Sequence, residues 1–193
     1  ASGTKPVRPE ILKNIPDELL KNIYFEITGI TDLSDKRILI VGGGDCAFDY
    51  SLTMAVSNQI DIVNRTVKIK ALKILREKVF ADRNINYRDR VKIDSILKGE
   101  SKAFKVKLIG KERQDHYEYD IIIFAVGREP DDSYLSYIER GKLATLISEG
   151  RIQLAGDIKN REIRQAVIAA GNGVESAMNI YKKLNGISDG CSI

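Results

Sequence analysis

The sequence predicts an α/β fold: a three-layer domain in which a parallel sheet lies between helices and an antiparallel β-meander, followed by one further strand and helix. Three observations carry this reading. A run of branched apolar residues, "RILIV" (37–41), breaks into three glycines and then a helical pattern. Strand-like and helix-like segments then alternate, as in parallel βαβ units. Three segments with period-2 alternation follow, "RVKIDSILKG", "AFKVKLIG" and "YEYDIIIFAVG", the pattern of a meander and a last buried strand.

In chain order, residues 1–35 hold three of the four prolines and one short helix pattern, "DELLKNIYF", followed by a connector, "TGITDLSDK". Proline and glycine density marks such a stretch as connecting rather than core. Residues 36–130 form the main domain, with helices predicted over "CAFDYSLTMAVS" and "VKIKALKILREKVF" and a strand at "QIDIVNR". Residues 131–193 open with a linker rich in Asp, Glu and Gly. A strand, "RIQLAGD", and a long helix over 161–184 follow, and the tail "NGISDGCSI" is expected to fray.

Composition excludes several functions. At 193 residues, with 43% apolar and 30% charged residues, the chain is long enough for one to one and a half globular domains. Its apolar runs are far shorter than the roughly 20 residues of a membrane span. The net charge of +4 is spread among 27 acidic residues without a basic stripe, which argues against nucleic acid. His116 has no Cys or His neighbour in the sequence, so no metal site is expected and it reads as a solvated turn residue. Cys46 and Cys191 form no Cys-x-x-Cys pair, and the low cysteine count fits a reducing cytoplasm.

Gly42, Gly44 and Ala47 spell GxGxxA between a strand and a helix, with Gly43 and Asp45 in the same turn. The first glycine allows the tight turn and the second lets backbone approach a pyrophosphate. The small third residue lets helix and strand pack closely, with the phosphates at the positive helix N-terminus. This is a Rossmann-like cradle for a nicotinamide dinucleotide. About twenty residues on, an acid would grip the ribose 2′-hydroxyl of NAD. Asn64 and Arg65 stand there instead, with Lys68 and Lys70 in the next turn, while Asp61 lies inside the strand as a decoy. Arginine clamps a 2′-phosphate that an acid would repel, so NADP is favoured and NAD remains possible. Lys68 and Lys70 also read as solvated helix surface.

"GGGDCAFD", "FAVGREPD" and "LAGDIKNREIRQAVIAAGNG" together make the chain resemble the thioredoxin-reductase-like flavoproteins of the pyridine nucleotide-disulfide oxidoreductase family, over nearly its whole length. The resemblance implies FAD contacts at Gly156, Asp157, Arg164, Gln165 and Ala166, where Asp157 would accept a hydrogen bond from the ribityl chain and the Arg-Gln-Ala segment would open a helix beside the flavin ring. It implies that Ala125 and Gly127 lie at a strand end near the nucleotide, and that Asn64, Arg65, Thr66 and Lys70 align with a basic signature in which Thr66 replaces an arginine. It also implies that the nicotinamide domain is inserted into an FAD domain whose first half, carrying its own glycine fingerprint, is to be found on a missing N-terminal half or a partner chain.

Disulfide reductases of the family carry Cys-x-x-Cys where Phe25 and Thr28 stand here. The cysteine-free branch, similar to ferredoxin- and flavodoxin-NADP reductases, implies hydride transfer from NADPH to FAD and electron transfer to a small redox protein. No side chain is expected to act as catalytic acid, base or nucleophile, because the cofactors carry the chemistry. The alternatives are a non-catalytic nucleotide-binding fragment or subunit of a split flavoprotein, and a thioredoxin-type disulfide reductase with cysteines outside this chain. An apolar surface including Val167, Ile168 and Val174 is expected to be covered in a homodimer or by a partner chain, or else to leave the C-terminal third poorly ordered.

Overall fold

The computed structural model describes residues 2–111, 114–160 and 163–187. The first elements are β1 (Thr4–Pro6), a 3-10 turn at Glu10–Asn14, α1 (Asp17–Leu20) and β2 (Ile23–Tyr24). Next come β3 (Arg37–Val41), α2 (Asp45–Met54), β4 (Gln59–Asn64), α3 (Lys73–Ala81) and β5 (Ile85–Asp89). Four strands follow, β6 (Lys92–Lys98), β7 (Phe104–Ile109), β8 (Gln114–Tyr119) and β9 (Ile121–Phe124). The chain ends with β10 (Arg128–Pro130), a 3-10 turn at Ser133–Leu135, α4 (Arg140–Ser148), α5 (Asp157–Asn160) and α6 (Ala166–Leu184). It forms two compact units, one of residues 8–127 and one of residues 1–7 with 128–193. In sequence, the first unit is thus an insertion in the second.

Within residues 8–127, a five-stranded parallel sheet runs in the order β2-β9-β3-β4-β5. Its inner strands β9, β3 and β4 are largely apolar on both faces because both faces are covered. Alternation sorts them: Ile38, Ile40, Ile60 and Ile62 pack with Phe48, Met54 and Val79 of the helices. Leu39, Val63, Ile122 and Phe124 pack with Phe104, Val106, Leu108 and Tyr119 of the meander β6-β7-β8. Each such side chain contributes about 1.5–3 kcal/mol on burial. In β7, Lys105 and Lys107 point away from that core to Glu100 and Asp94 at 3.0 and 2.9 Å.

A charged group, Asp61, sits inside this largely apolar sandwich. Asp61 is 4% exposed. It accepts hydrogen bonds from Arg37 Nη2 (3.0 Å), Arg88 Nη2 (3.2 Å), Asn86 Nδ2 (2.7 Å) and the Tyr119 hydroxyl (3.0 Å). Arg88 also stacks on Tyr117, 4.2 Å from the ring centre. Burial, and then the Asp61 charge, push the Tyr119 phenol far above its ordinary pKa, so it stays a donor. The strand-embedded acid is a tie between sheet and meander.

In the second unit, β1 pairs antiparallel with β10, and Arg128 donates to the Thr4 hydroxyl (2.9 Å) and carbonyl (2.7 Å). Lys159 of α5 bridges to Glu175 of α6 at 2.8 Å.

Of residues 1–35, expected as a crossover segment, residues 8–35 fall in the larger unit, with Ile15, Leu19, Ile23 and Ile30 buried. Several expectations of local structure are corrected. The helix pattern at 17–25 yields only α1, and Tyr24 lies in β2 beside β9. Helix α3 starts at Lys73 rather than Val67, because the backbone of 65–72 is drawn into the glycine turn. The linker contains α4. Residues 151–157 form no strand, as no described strand pairs with them to receive a ladder. His116 lies exposed in β8 rather than in a turn, and Cys46 is exposed on α2. Cys191 and the tail from 188 on lie outside the described residues.

Candidate nucleotide and flavin sites

The glycine turn follows β3, where the sheet order reverses between β9 and β4, the crevice in which open parallel sheets bind ligands. Gly42 has φ +153°, and a Cβ there would meet the Ala125 carbonyl oxygen at 2.4 Å, so only glycine fits. Ala47 is fully buried, with its Cβ 3.2 Å from that same point, which explains the small third residue of the fingerprint. Gly42 N–H donates to the Val63 carbonyl (2.9 Å), and Ala125 N–H to the Val41 carbonyl (2.9 Å), which fixes the turn to both neighbouring strands. Gly44 is the N-cap of α2, whose first N–H groups have no intrahelical partner. Gly127 has φ +116° and open space around it.

The residues beyond β4 are tied to the same turn. Lys70 N–H donates to the Gly43 carbonyl at 2.7 Å, and Leu72 N–H to Asp45 Oδ1 at 2.7 Å. Asn64 is 6% exposed, and its carboxamide bonds the Lys68 carbonyl (3.1 Å), the Tyr87 hydroxyl (3.1 Å) and Thr66 N–H (3.3 Å). Burial raises the pKa of Tyr87, against the effect of the Asn64 bond, so its hydroxyl stays protonated. Arg65, Thr66, Lys68 and Lys70 are exposed. Thus Gly42, Gly43, Gly44, Asp45, Ala47, Asn64, Arg65, Thr66, Lys70, Ala125 and Gly127 all fall in one unit around the sheet's C-terminal edge. Sequence reasoning missed that Asp45 and Asn64 are engaged within the protein, and that Tyr87 takes part.

In the other unit, Gly156, Asp157, Arg164, Gln165 and Ala166 line one groove of about 490 Å³ together with Gly3, Ala155, Ala169 and Gly173. Gly156 has φ +76°, which turns the chain into α5. Gln165 is the N-cap of the 19-residue α6. The added members are small; Ala169 and Gly173 belong to the run "AVIAAGNG", which reads in the sequence only as a packed helix. Among the described residues no His, Cys, Asp or Glu cluster could hold a metal, and no helix is long and apolar enough to cross a membrane.

The chain is similar to known proteins in sequence and in fold. Residues 1–182 match the family model described as pyridine nucleotide-disulphide oxidoreductase. The chain is 27% identical over 167 residues to a thioredoxin reductase of Dictyostelium discoideum, covering 79% of this chain and 51% of that protein. It is 29% identical over 171 residues to one of Rickettsia prowazekii, covering 78% and 53%. The chain therefore spans about half the length of the curated relatives it matches. Among solved structures, Lactococcus lactis thioredoxin reductase superposes with a TM-score of 0.74 at 21% identity, covering 93% of this chain and 63% of that one. The thioredoxin reductase of T. acidophilum gives 0.72 at 19% identity, covering 94% and 64%. These two likenesses establish the fold, a parallel sheet with an antiparallel layer. By its match over 182 residues, the chain belongs to the pyridine nucleotide-disulphide oxidoreductase family.

Proposed function

We propose that residues 8–127 bind NADPH, and that residues 1–7 and 128–187 contribute to an FAD site, in a flavin oxidoreductase that passes hydride from NADPH to FAD and electrons on to a small redox protein. The observation that carries this is the glycine turn at the switch point of the sheet, beside a strand end that offers Arg65, Lys68 and Lys70 but no carboxylate. The one acid in β4, Asp61, is spent on Arg37 and Arg88. Cations there would hold a 2′-phosphate, and the α2 N-terminus would face the pyrophosphate.

The groove has room for a flat ring: six of its nine lining residues are glycine or alanine, and Asp157, Arg164 and Gln165 supply its polar groups. Asp157 would accept a hydrogen bond from the ribityl chain, and Gln165 with Ala166 would place the N-terminus of α6 toward the ring, where it favours added negative charge. The chemistry supplied there by bound FAD is hydride acceptance and electron release. This chain's side chains bind and orient.

The relatives named above are thioredoxin reductases, but Phe25 and Thr28 stand where a dithiol would be. Phe25 packs against Phe124 at 6.1 Å and under Arg8 at 5.1 Å. Disulfide reduction would need cysteines elsewhere, so a redox protein that accepts electrons from the flavin is the favoured partner. The cysteine usage supports a reducing cytoplasm. The apolar face of α6, with Val167 82% and Val174 61% exposed, supports burial against a second copy or a companion FAD-binding segment. A second reading, a nucleotide-binding module without turnover, draws on the chain's half-length match to its relatives. The two separate in anaerobic spectroscopy of the full-length protein. A visible flavin band bleached by NADPH supports the oxidoreductase. NADPH binding by a colourless protein that takes up no added FAD supports the module.

A further inference from the structure

Two of the residues expected to touch the nucleotide at the end of β4, Asn64 and Thr66, are bonded to each other. Asn64 Nδ2 donates to the Lys68 carbonyl and the Tyr87 hydroxyl, both at 3.1 Å. Its Oδ1 accepts from Thr66 N–H at 3.3 Å. The Thr66 hydroxyl turns the same way, 3.2 Å from the Lys68 carbonyl. A Cβ at Gly43 would lie 2.4 Å from Asn64 Nδ2, so the glycine turn rests directly on this amide. With the Lys70-to-Gly43 bond at 2.7 Å, one buried side chain fastens the 65–70 loop to the cradle and to β5. Arg65, Lys68 and Lys70 ride on that loop, exposed and without an ion pair to any described residue.

We propose that Asn64 never contacts the nucleotide and is instead a positioning residue: it latches the 65–70 loop so that Arg65, Lys68 and Lys70 are held ready for a 2′-phosphate. The inference rests on the NADPH reading above. Long cationic side chains lose entropy when they close on a ligand, and fixing the backbone beneath them lowers that cost. Thr66, turned into the latch, replaces charge by loop order, and Lys68 adds a cation whose carbonyl the latch holds.

The test uses two probes that differ by a single phosphate, 2′,5′-ADP and 5′-AMP, titrated calorimetrically into the chain, Asn64→Ala and Tyr87→Phe. The wild type is expected to prefer 2′,5′-ADP by about tenfold or more, the scale of one charge-assisted contact. Asn64→Ala is expected to lose most of that preference with 5′-AMP affinity held within about twofold. Amide hydrogen exchange at Lys70 and Leu72 should quicken in parallel. Tyr87→Phe removes only the hydroxyl that anchors Nδ2 and keeps its ring, so it covers the case in which Asn64→Ala does not fold; it should show a smaller shift of the same kind. An unchanged preference in Tyr87→Phe, or equal loss for both probes in either variant, overturns the latch. A wild type that binds neither probe overturns the NADPH reading itself.

Discussion

Replacing Gly43 by alanine tests the contact between glycine turn and loop. The new methyl would lie 2.4 Å from Asn64 Nδ2 and 2.7 Å from its Cγ, roughly 1 Å inside normal contact. The amide cannot retreat freely, because it is buried and bonded to Lys68 and Tyr87. Overpacking of this kind costs about 1–3 kcal/mol, and breaking one of those hydrogen bonds adds about 1 kcal/mol. Alanine restricts the unfolded chain more than glycine and returns about 0.5 kcal/mol. Gly43→Ala should therefore destabilise by about 2–3 kcal/mol in urea unfolding. In an Asn64→Ala background the obstruction is gone, and the same change should cost less than about 0.5 kcal/mol, giving a coupling energy of about 2 kcal/mol. Equal costs in the two backgrounds would refute the reasoning.

Other consequences follow from the same geometry. Asp61→Asn removes the charge that holds Arg37 and Arg88; since those side chains are 38% and 24% exposed, solvent compensates in part. The loss in urea unfolding should be about 2 kcal/mol, below the 3–5 of a fully buried pair, and a change under about 0.5 would contradict the tie. Glu118, held by the Ser101 hydroxyl and then by Glu100 N–H, has its carboxyl pulled down to about 2. Its contribution to stability is present above the ordinary Glu range and fades as pH falls toward 2; carboxyl NMR should show the low midpoint, and Ser101→Ala should return it upward. A double change Val174→Lys and Met178→Lys, at sites 61% and 57% exposed on α6, should weaken self-association or capture of the companion segment in sedimentation while leaving nucleotide binding intact.

Much of this architecture was legible because its signals are local. Continuous branched runs at 37–41 and 121–124 mark strands covered on both faces, and Phe104, Val106 and Leu108 alternate with lysines as a meander strand does. The glycine fingerprint reports a steric need, the Ala125 carbonyl beside Gly42, that side-chain volume alone encodes. What failed depends on partners distant in sequence. The apolar spacing of Val67, Ile69 and Leu72 imitates a helix, yet Gly43 and Asp45 claim the amides of Lys70 and Leu72. Asn64 looks like a ribose ligand until Tyr87, 23 residues away, takes its amide. The alternation at 151–157 imitates a strand but has no described neighbour to pair with.

The central claim is that the cradle and its cationic loop select a 2′-phosphorylated dinucleotide. Direct calorimetric titration of the chain with NADPH and NADH tests it most plainly. The structure predicts saturable one-to-one binding of NADPH, tighter than NADH by about tenfold, with the difference lost in Arg65→Ala. Absence of saturable binding, or tighter binding of NADH, would contradict it.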